Sequence, residues 1–112
     1  MMDLFTPIKE NRDFRRIYTR GKSYVSPVVV TYVLKNRVKK LRVGITTSKK
    51  IGNAVCRNRS RRVIREAVRQ LGDAIPPGYD LVFVARTRTH ACKSTDIAKM
   101  MRRHLEEAGV IR

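Results

Sequence analysis

Acidic side chains are scarce in this sequence: nine Asp and Glu stand against 26 Lys and Arg, a formal charge of +17 over 112 residues. The few acids are scattered, and Glu106 and Glu107 fall on different helix faces, so no carboxylate cluster is set up to hold two magnesium ions. Tryptophan is absent and cysteine occurs only twice. Cys56 and Cys92 have no CxxC spacing and form no framework of pairs, which points to a reduced, cytoplasmic setting. Together with His90 and His104 they also lack zinc-ligand spacing, so no metal ligand is expected on the chain. No stretch approaches the ~18 apolar residues of a membrane span. The start, Met1-Met2-Asp3-Leu4-Phe5, lacks the basic region and apolar core of a secretory signal. Gly44, Gly52 and Gly72 are isolated turn or close-packing glycines rather than a phosphate-cradling loop.

What is present is a folding chain. Hydrophobic residues make up 42%, too many for a disordered basic tail, and the length fits a single domain over residues 1–112 with one modest core. A charge of +17 opposes compaction through self-repulsion, which a polyanionic partner relieves. A membrane surface would also attract such a charge. Arginine-rich patches beside tyrosine and asparagine suit phosphates and bases better.

Patterning gives the elements. Asn11 is a candidate cap for a helix over Arg12–Arg20, closed by Gly21, with Phe14, Ile17 and Tyr18 at helical spacing. Tyr24–Lys35 is β-branched and aromatic and reads as one strand. The polar run Asn36–Lys40 turns the chain, and Leu41, Val43 and Ile45 then alternate with Arg42, Gly44 and Thr46 as a half-buried strand. Asn53 is the expected cap of a long helix to about Leu71, whose stripe is Val63, Ile64, Ala67, Val68 and Leu71. Pro76-Pro77-Gly78 forces a loop before a third strand, Tyr79–Ala85. Ser94–Ala108 closes the chain as a helix with Ile97, Met101, Leu105 and Ala108 inward. The order α-β-β-α-β-α predicts an α+β sandwich, a small sheet packed by helices.

The long helix carries the functional signal. Lys49 to Arg69 holds eight basic residues and one acid, Glu66. Arg61, Arg62, Arg65 and Arg69 cluster opposite the apolar stripe, and Arg57-Asn58-Arg59 adds two guanidinium forks and an amide near the helix start. That end also directs free N–H groups and a positive dipole outward, which favours phosphate. A merely solvated face would intersperse Glu four residues before Lys or Arg, and this one hardly does.

The run Ser48-Lys49-Lys50-Ile51-Gly52-Asn53-Ala54-Val55-Cys56-Arg57-Asn58-Arg59-Ser60-Arg61-Arg62-Val63-Ile64-Arg65-Glu66 resembles the signature of the bacterial ribonuclease P protein component. Asn11–Phe14, Gly21-x-Ser23, Arg42-Val43-Gly44 and Tyr79-Asp80 extend the resemblance over most of the chain, and Arg61 stands where Lys is common. The resemblance implies a protein that binds the ribonuclease P RNA subunit and helps it remove 5′ leaders from precursor tRNA. Magnesium, bound mainly by that RNA, would serve the cleavage, with no catalytic residue on the protein. Carried over by position, Lys49, Lys50, Asn53, Arg57, Asn58, Arg59, Arg61, Arg62 and Arg65 would face RNA. Phe14, Tyr18, Val30 and Tyr32 would line a cleft for single-stranded leader. The resemblance further implies that the basic helix joins two parallel strands by a left-handed crossover, against the general right-handed rule.

Alternatives stand beside these readings. Phe14 and Tyr18 at i, i+4 read first as a core stripe. His90 and His104 are the only candidates for a protein acid–base pair, and His104, on the stripe of Ile97, Met101 and Leu105, reads as structural. A structural ribosomal RNA-binding protein would share this size, charge and fold class. Sequence-specific DNA binding would call for a base-reading helix and often a dimer seam, and no obligate protein oligomer is expected.

Overall fold

The computed structural model describes residues 5–111; residues 1–4, where the absence of a secretory signal was read, lie outside the described residues, as does residue 112. The elements in order are β1 (Thr6–Pro7), α1 (Asn11–Arg20), β2 (Lys22–Val25), β3 (Val29–Lys35), β4 (Leu41–Thr46), α2 (Ala54–Leu71), β5 (Tyr79–Ala85) and α3 (Ser94–Glu107). Strands order as β1-β4-β5-β3-β2 in one sheet. β4 runs parallel to β1 and β5, while β3 runs antiparallel to β5 and β2. The expected α+β architecture is present, with two more strands than the pattern predicts.

Both additions have local causes. The run Tyr24–Lys35 is a hairpin rather than one strand, because Ser26 turns the chain: its Oγ donates to the Val29 carbonyl at 2.7 Å and accepts from the Val29 N–H at 3.2 Å. Pro27 between them has no N–H for a ladder. β1 is only two residues long and exists through its pairing with Arg42 and Val43. Asn11 is not the cap of α1; Glu10 holds that position without a side-chain hydrogen bond, and Asn11 is already helical. Gly21 does end α1, in extended geometry with φ −75°. A Cβ there would lie 2.5 Å from the Ile17 oxygen and 3.0 Å from that of Val33, so close approach selects glycine. Asn53 caps α2 as expected, accepting from the Cys56 N–H.

Alternation divides the sheet into two faces. Val29, Val43, Leu81, Phe83 and Ala85 face the larger core, closed by Ile64, Ala67, Val68 and Leu71 of α2 and Ile97, Met101 and Leu105 of α3. Thr31 points the same way and meets His104, Oγ1 to Nδ1 at 2.8 Å. The opposite face carries a smaller cluster of Ile8, Ile17 and Val82, with Phe14, Tyr32, Leu34 and Val84 around it. Ile17 is the one fully buried side chain that α1 contributes, and its truncation to Ala would cost about 2–5 kcal/mol. The sheet therefore lies between α1 on one side and α2 with α3 on the other.

Candidate nucleic-acid interface

α2 is fastened by one face and free on the other. Ser60, Ile64, Ala67, Val68 and Leu71 are buried, while Asn58, Arg59, Arg61, Arg62 and Arg65 are exposed. Some of these groups serve the helix itself. Arg57 donates to the Gly52 carbonyl at 2.7 Å and ties the first turn to the loop before it. Arg61 donates to Asn58 Oδ1 at 3.3 Å, and Arg69 pairs with Glu66 at 3.3 Å. Among the described residues Arg59, Arg62 and Arg65 make no side-chain hydrogen bond or ion pair. Their forks are available for a bidentate acceptor such as phosphate. Lys49 and Lys50 lie exposed on a short 3₁₀ turn anchored by buried Ile51. The Asn53 carbonyl oxygen is taken by its cap, leaving the amide nitrogen for an outside partner.

Val55, 74% exposed at the start of α2, escaped the pattern reading. Helical spacing places it in line with Arg59 and Arg62, an apolar spot inside a basic field. A β-branched residue on the polar side of the helix was the available signal.

Phe14, Tyr18 and Tyr32 come together on the other face of the sheet. Phe14 and Tyr18 have ring centroids 6.3 Å apart, and Tyr18 meets Tyr32 edge-on at 4.8 Å. Tyr18 remains 39% exposed, with its hydroxyl 3.4 Å from Thr46 Oγ1. Phe14 is more deeply set. A Cβ on Gly44 would lie 2.6 Å from Phe14 Cε1, so the ring occupies the space that glycine leaves on β4. Phe14 is half-buried: its ring packs on β4 and lies tilted beside Tyr18. Val30 lies two residues along the same strand face from Tyr32. Its neighbours across the sheet are Val25 and Val84, and Thr46 pairs with Val84. Val25 is 66% exposed, so this row extends the aromatic surface with an open apolar strip. Val25, Val84 and Thr46 went unpredicted because cross-strand pairing is non-local.

Beside the aromatics, on the same face of the sheet, lies an ionic ring that the sequence does not announce. Asp80, 0% exposed in β5, accepts from Arg16 at 2.9 Å, Asn36 at 2.8 Å and Arg42 at 3.4 Å. Arg42 also donates to Asp13 at 2.9 Å, and Arg16 lies 3.5 Å from Asp13. Two of the basic residues are therefore neutralised internally. The one signal was an aspartate inside the apolar run Tyr79–Ala85, which must find cationic or amide partners to be buried.

His104 is buried against Thr31 with Tyr24 nearby, its ring centroid 6.2 Å away. Burial holds its pKa below the ordinary value, with Glu107 pulling partly the other way. The burial of His104 agrees with its position on the stripe of Ile97, Met101 and Leu105. Cys56 and Cys92 are free thiols. Among the described residues no three His, Cys, Asp or Glu side chains converge as metal ligands. None of the described helices is long and apolar enough to cross a membrane.

Comparison with known proteins bears on the whole chain. The family model for Ribonuclease P matches residues 3–109. A ribonuclease P protein component from Clostridioides difficile is 41% identical over 104 residues, covering 92% of this chain and 91% of the relative. The structure of the Staphylococcus aureus RNase P protein superimposes with a TM-score of 0.81 at 34% identity, over 95% of this chain and 97% of that one. The Thermotoga maritima RNase P protein gives 0.78 at 28% identity, over 90% and 96%.

Proposed function

The chain belongs to the ribonuclease P protein family, and from that membership we propose that it is the protein subunit of a ribonucleoprotein endoribonuclease that removes 5′ leaders from precursor tRNA. It acts as one RNA-binding domain in the cytoplasm. The exposed face of α2, with Lys49, Lys50, Asn53 and the Arg57–Arg65 set, binds the RNA subunit. Phe14, Tyr18, Tyr32 and Val30 hold the single-stranded leader on the opposite face of the sheet. Stacking on such a surface contributes roughly 1–3 kcal/mol per base with little regard to identity, which suits leaders of variable sequence. The RNA partner carries the cleavage chemistry and its magnesium. The described residues gather no group of three or more His, Cys, Asp or Glu side chains for that metal.

The observation that carries this reading is the division of α2: one side is sunk in the core, and the other presents Arg59, Arg62 and Arg65 with no partner among the described residues. Added to the RNA subunit at magnesium that limits the RNA alone, the protein raises precursor cleavage. No gain over RNA alone refutes the proposal. Recovery of ribosomal RNA with the protein, in place of one abundant structured transcript, would move the assignment to a structural ribosomal protein.

A further inference from the structure

We propose that Asp80 is a positioning residue for leader binding: through its ring with Arg16, Arg42 and Asp13 it fixes how α1 lies on the sheet, and so holds Tyr18 against Tyr32. This rests on the leader-binding reading of the cleft given above.

The ring closes on itself. Asp80 holds Arg16 and Arg42, Arg42 holds Asp13, and Asp13 returns to Arg16. Charges alternate around it, two acids and two arginines, so the ring is neutral as a unit. Asp13 and Arg16 belong to α1, Arg42 to β4 and Asp80 to β5. Each α1 member therefore ties the helix to a strand, and Asn36 Nδ2 occupies the remaining oxygen of Asp80 at 2.8 Å.

Location gives the ring its consequence. Arg42 and Asp80 pair across β4 and β5, and the next row on that face is Gly44, Val82 and Tyr32. Two residues of strand separate the rows, about 7 Å. Asp13 and Arg16 bracket Phe14, which packs on Gly44, and Arg16 lies two residues before Tyr18. A turn of α1 about its axis, or a slide along the sheet, would carry Tyr18 away from Tyr32.

Apolar packing shares in that placement through the Phe14 ring over Gly44, but it supplies less direction than the ion pairs do. α1 has ten residues, too few to be helical by itself in water. Its one fully buried side chain, Ile17, is held by a force without direction. Charge-assisted hydrogen bonds are directional. Stability gives a weak reason for retaining such a ring, because well-packed apolar residues often replace a buried ion pair at no loss. Definition of geometry gives a stronger one.

The test uses Arg16, whose side chain is 41% exposed, because Asp80→Asn would leave two arginines short of charge and risks misfolding. Arg16→Gln and Arg16→Lys are compared with wild type in two measurements. In the free protein, hydrogen exchange of α1 amides in Arg16→Gln rises by about tenfold or more relative to α2 and α3, equivalent to about 1.4 kcal/mol of local opening. In the holoenzyme, the ratio of KM for precursors with short and long leaders falls by about three- to tenfold, as expected for breaking one link of a coupled network. Arg16→Lys, which keeps a cation for Asp80, restores most of both effects. Faster exchange spread equally over all three helices would reduce the ring to general stability and overturn the proposal. So would loosening of α1 with the leader ratio intact, or no loosening. A wild-type holoenzyme indifferent to leader length would instead defeat the underlying leader reading, whereas a discriminating wild type with unaltered variants defeats only the role of Asp80.

Discussion

Replacing Arg59, Arg62 and Arg65 together with Gln tests whether the free face of α2 meets phosphate. These three make no side-chain hydrogen bond or ion pair among the described residues, whereas Arg57 holds the Gly52 loop and Arg69 holds Glu66. Each phosphate contact contributes roughly 0.7–0.9 to the slope of log affinity against log salt. Loss of three contacts should flatten the slope by about 2–3. Between about 50 and about 200 mM salt, wild type should then lose about 20- to 40-fold more affinity than the variant. Gln keeps helix propensity, and exposed sites of this kind shift stability by no more than about 0.5 kcal/mol each. Relief of like-charge neighbours at i, i+3 makes an unchanged or slightly higher melting temperature the expectation. RNA-subunit binding across a salt series, with thermal melts alongside, measures both quantities. The control is Lys99, Arg102 and Arg103 on the outer face of α3, exposed in company with Asp96, Glu106 and Glu107. An unchanged slope, or an equal change from the α3 triple, would mean that net charge acts without a defined face and would refute the reasoning.

Gly44→Ala puts a Cβ into the Phe14 ring and 3.3 Å from the Ile8 Cβ; it should cost about 1–3 kcal/mol by overpacking and weaken discrimination by leader length, read from melts and precursor KM values. His104 has a folded-state pKa below its ordinary value, so the unfolded chain binds its proton first as pH falls. Its stability contribution is complete above about pH 6.5 and is lost as pH drops from there through the lowered folded value. His104→Asn, which keeps a partner for Thr31, should remove that part of the pH dependence in melts between neutral and mildly acid solution.

The sequence was most informative where function and folding are both local. The long basic helix, its Asn53 cap, the stripe that seats it and the free arginines opposite all follow from spacing within the eighteen residues of α2 and the one before them. The aromatic partners Phe14 and Tyr18 follow from one turn of helix. Legibility ended where contacts span the chain. Whether an arginine is free or committed depends for Arg16 on a carboxylate 64 residues away, and composition counts both kinds alike. The split of Tyr24–Lys35 was written in Ser26-Pro27, but β-branched content outweighed a single proline. The apolar row of Val25, Val30 and Val84 depends on register, which no single strand reveals.

Sorting the charges by partner, rather than counting them, gives the molecule a direction. Around α1, Arg12 is engaged by Glu10, and Arg16 and Arg42 are taken up by Asp13 and Asp80. The outer face of α3 mixes three cations with three acids. The densest uncompensated group, Lys49, Lys50, Arg59, Arg62 and Arg65, lies on the 3₁₀ turn and the exposed side of α2, across the sheet from the aromatic surface, while Lys9, Arg15, Arg20 and Lys22 are exposed cations outside it. The two surfaces meet where β4 ends: Thr46 lies against the Tyr18 hydroxyl, and Lys49 begins the basic approach to α2 only three residues later. A polynucleotide held on the arginine face therefore leaves the aromatic face open to a second strand. On the proposal above, this allows one small chain to bridge the RNA subunit and the substrate leader, because its attraction for backbone and its stacking surface lie on opposite sides of a rigid sheet.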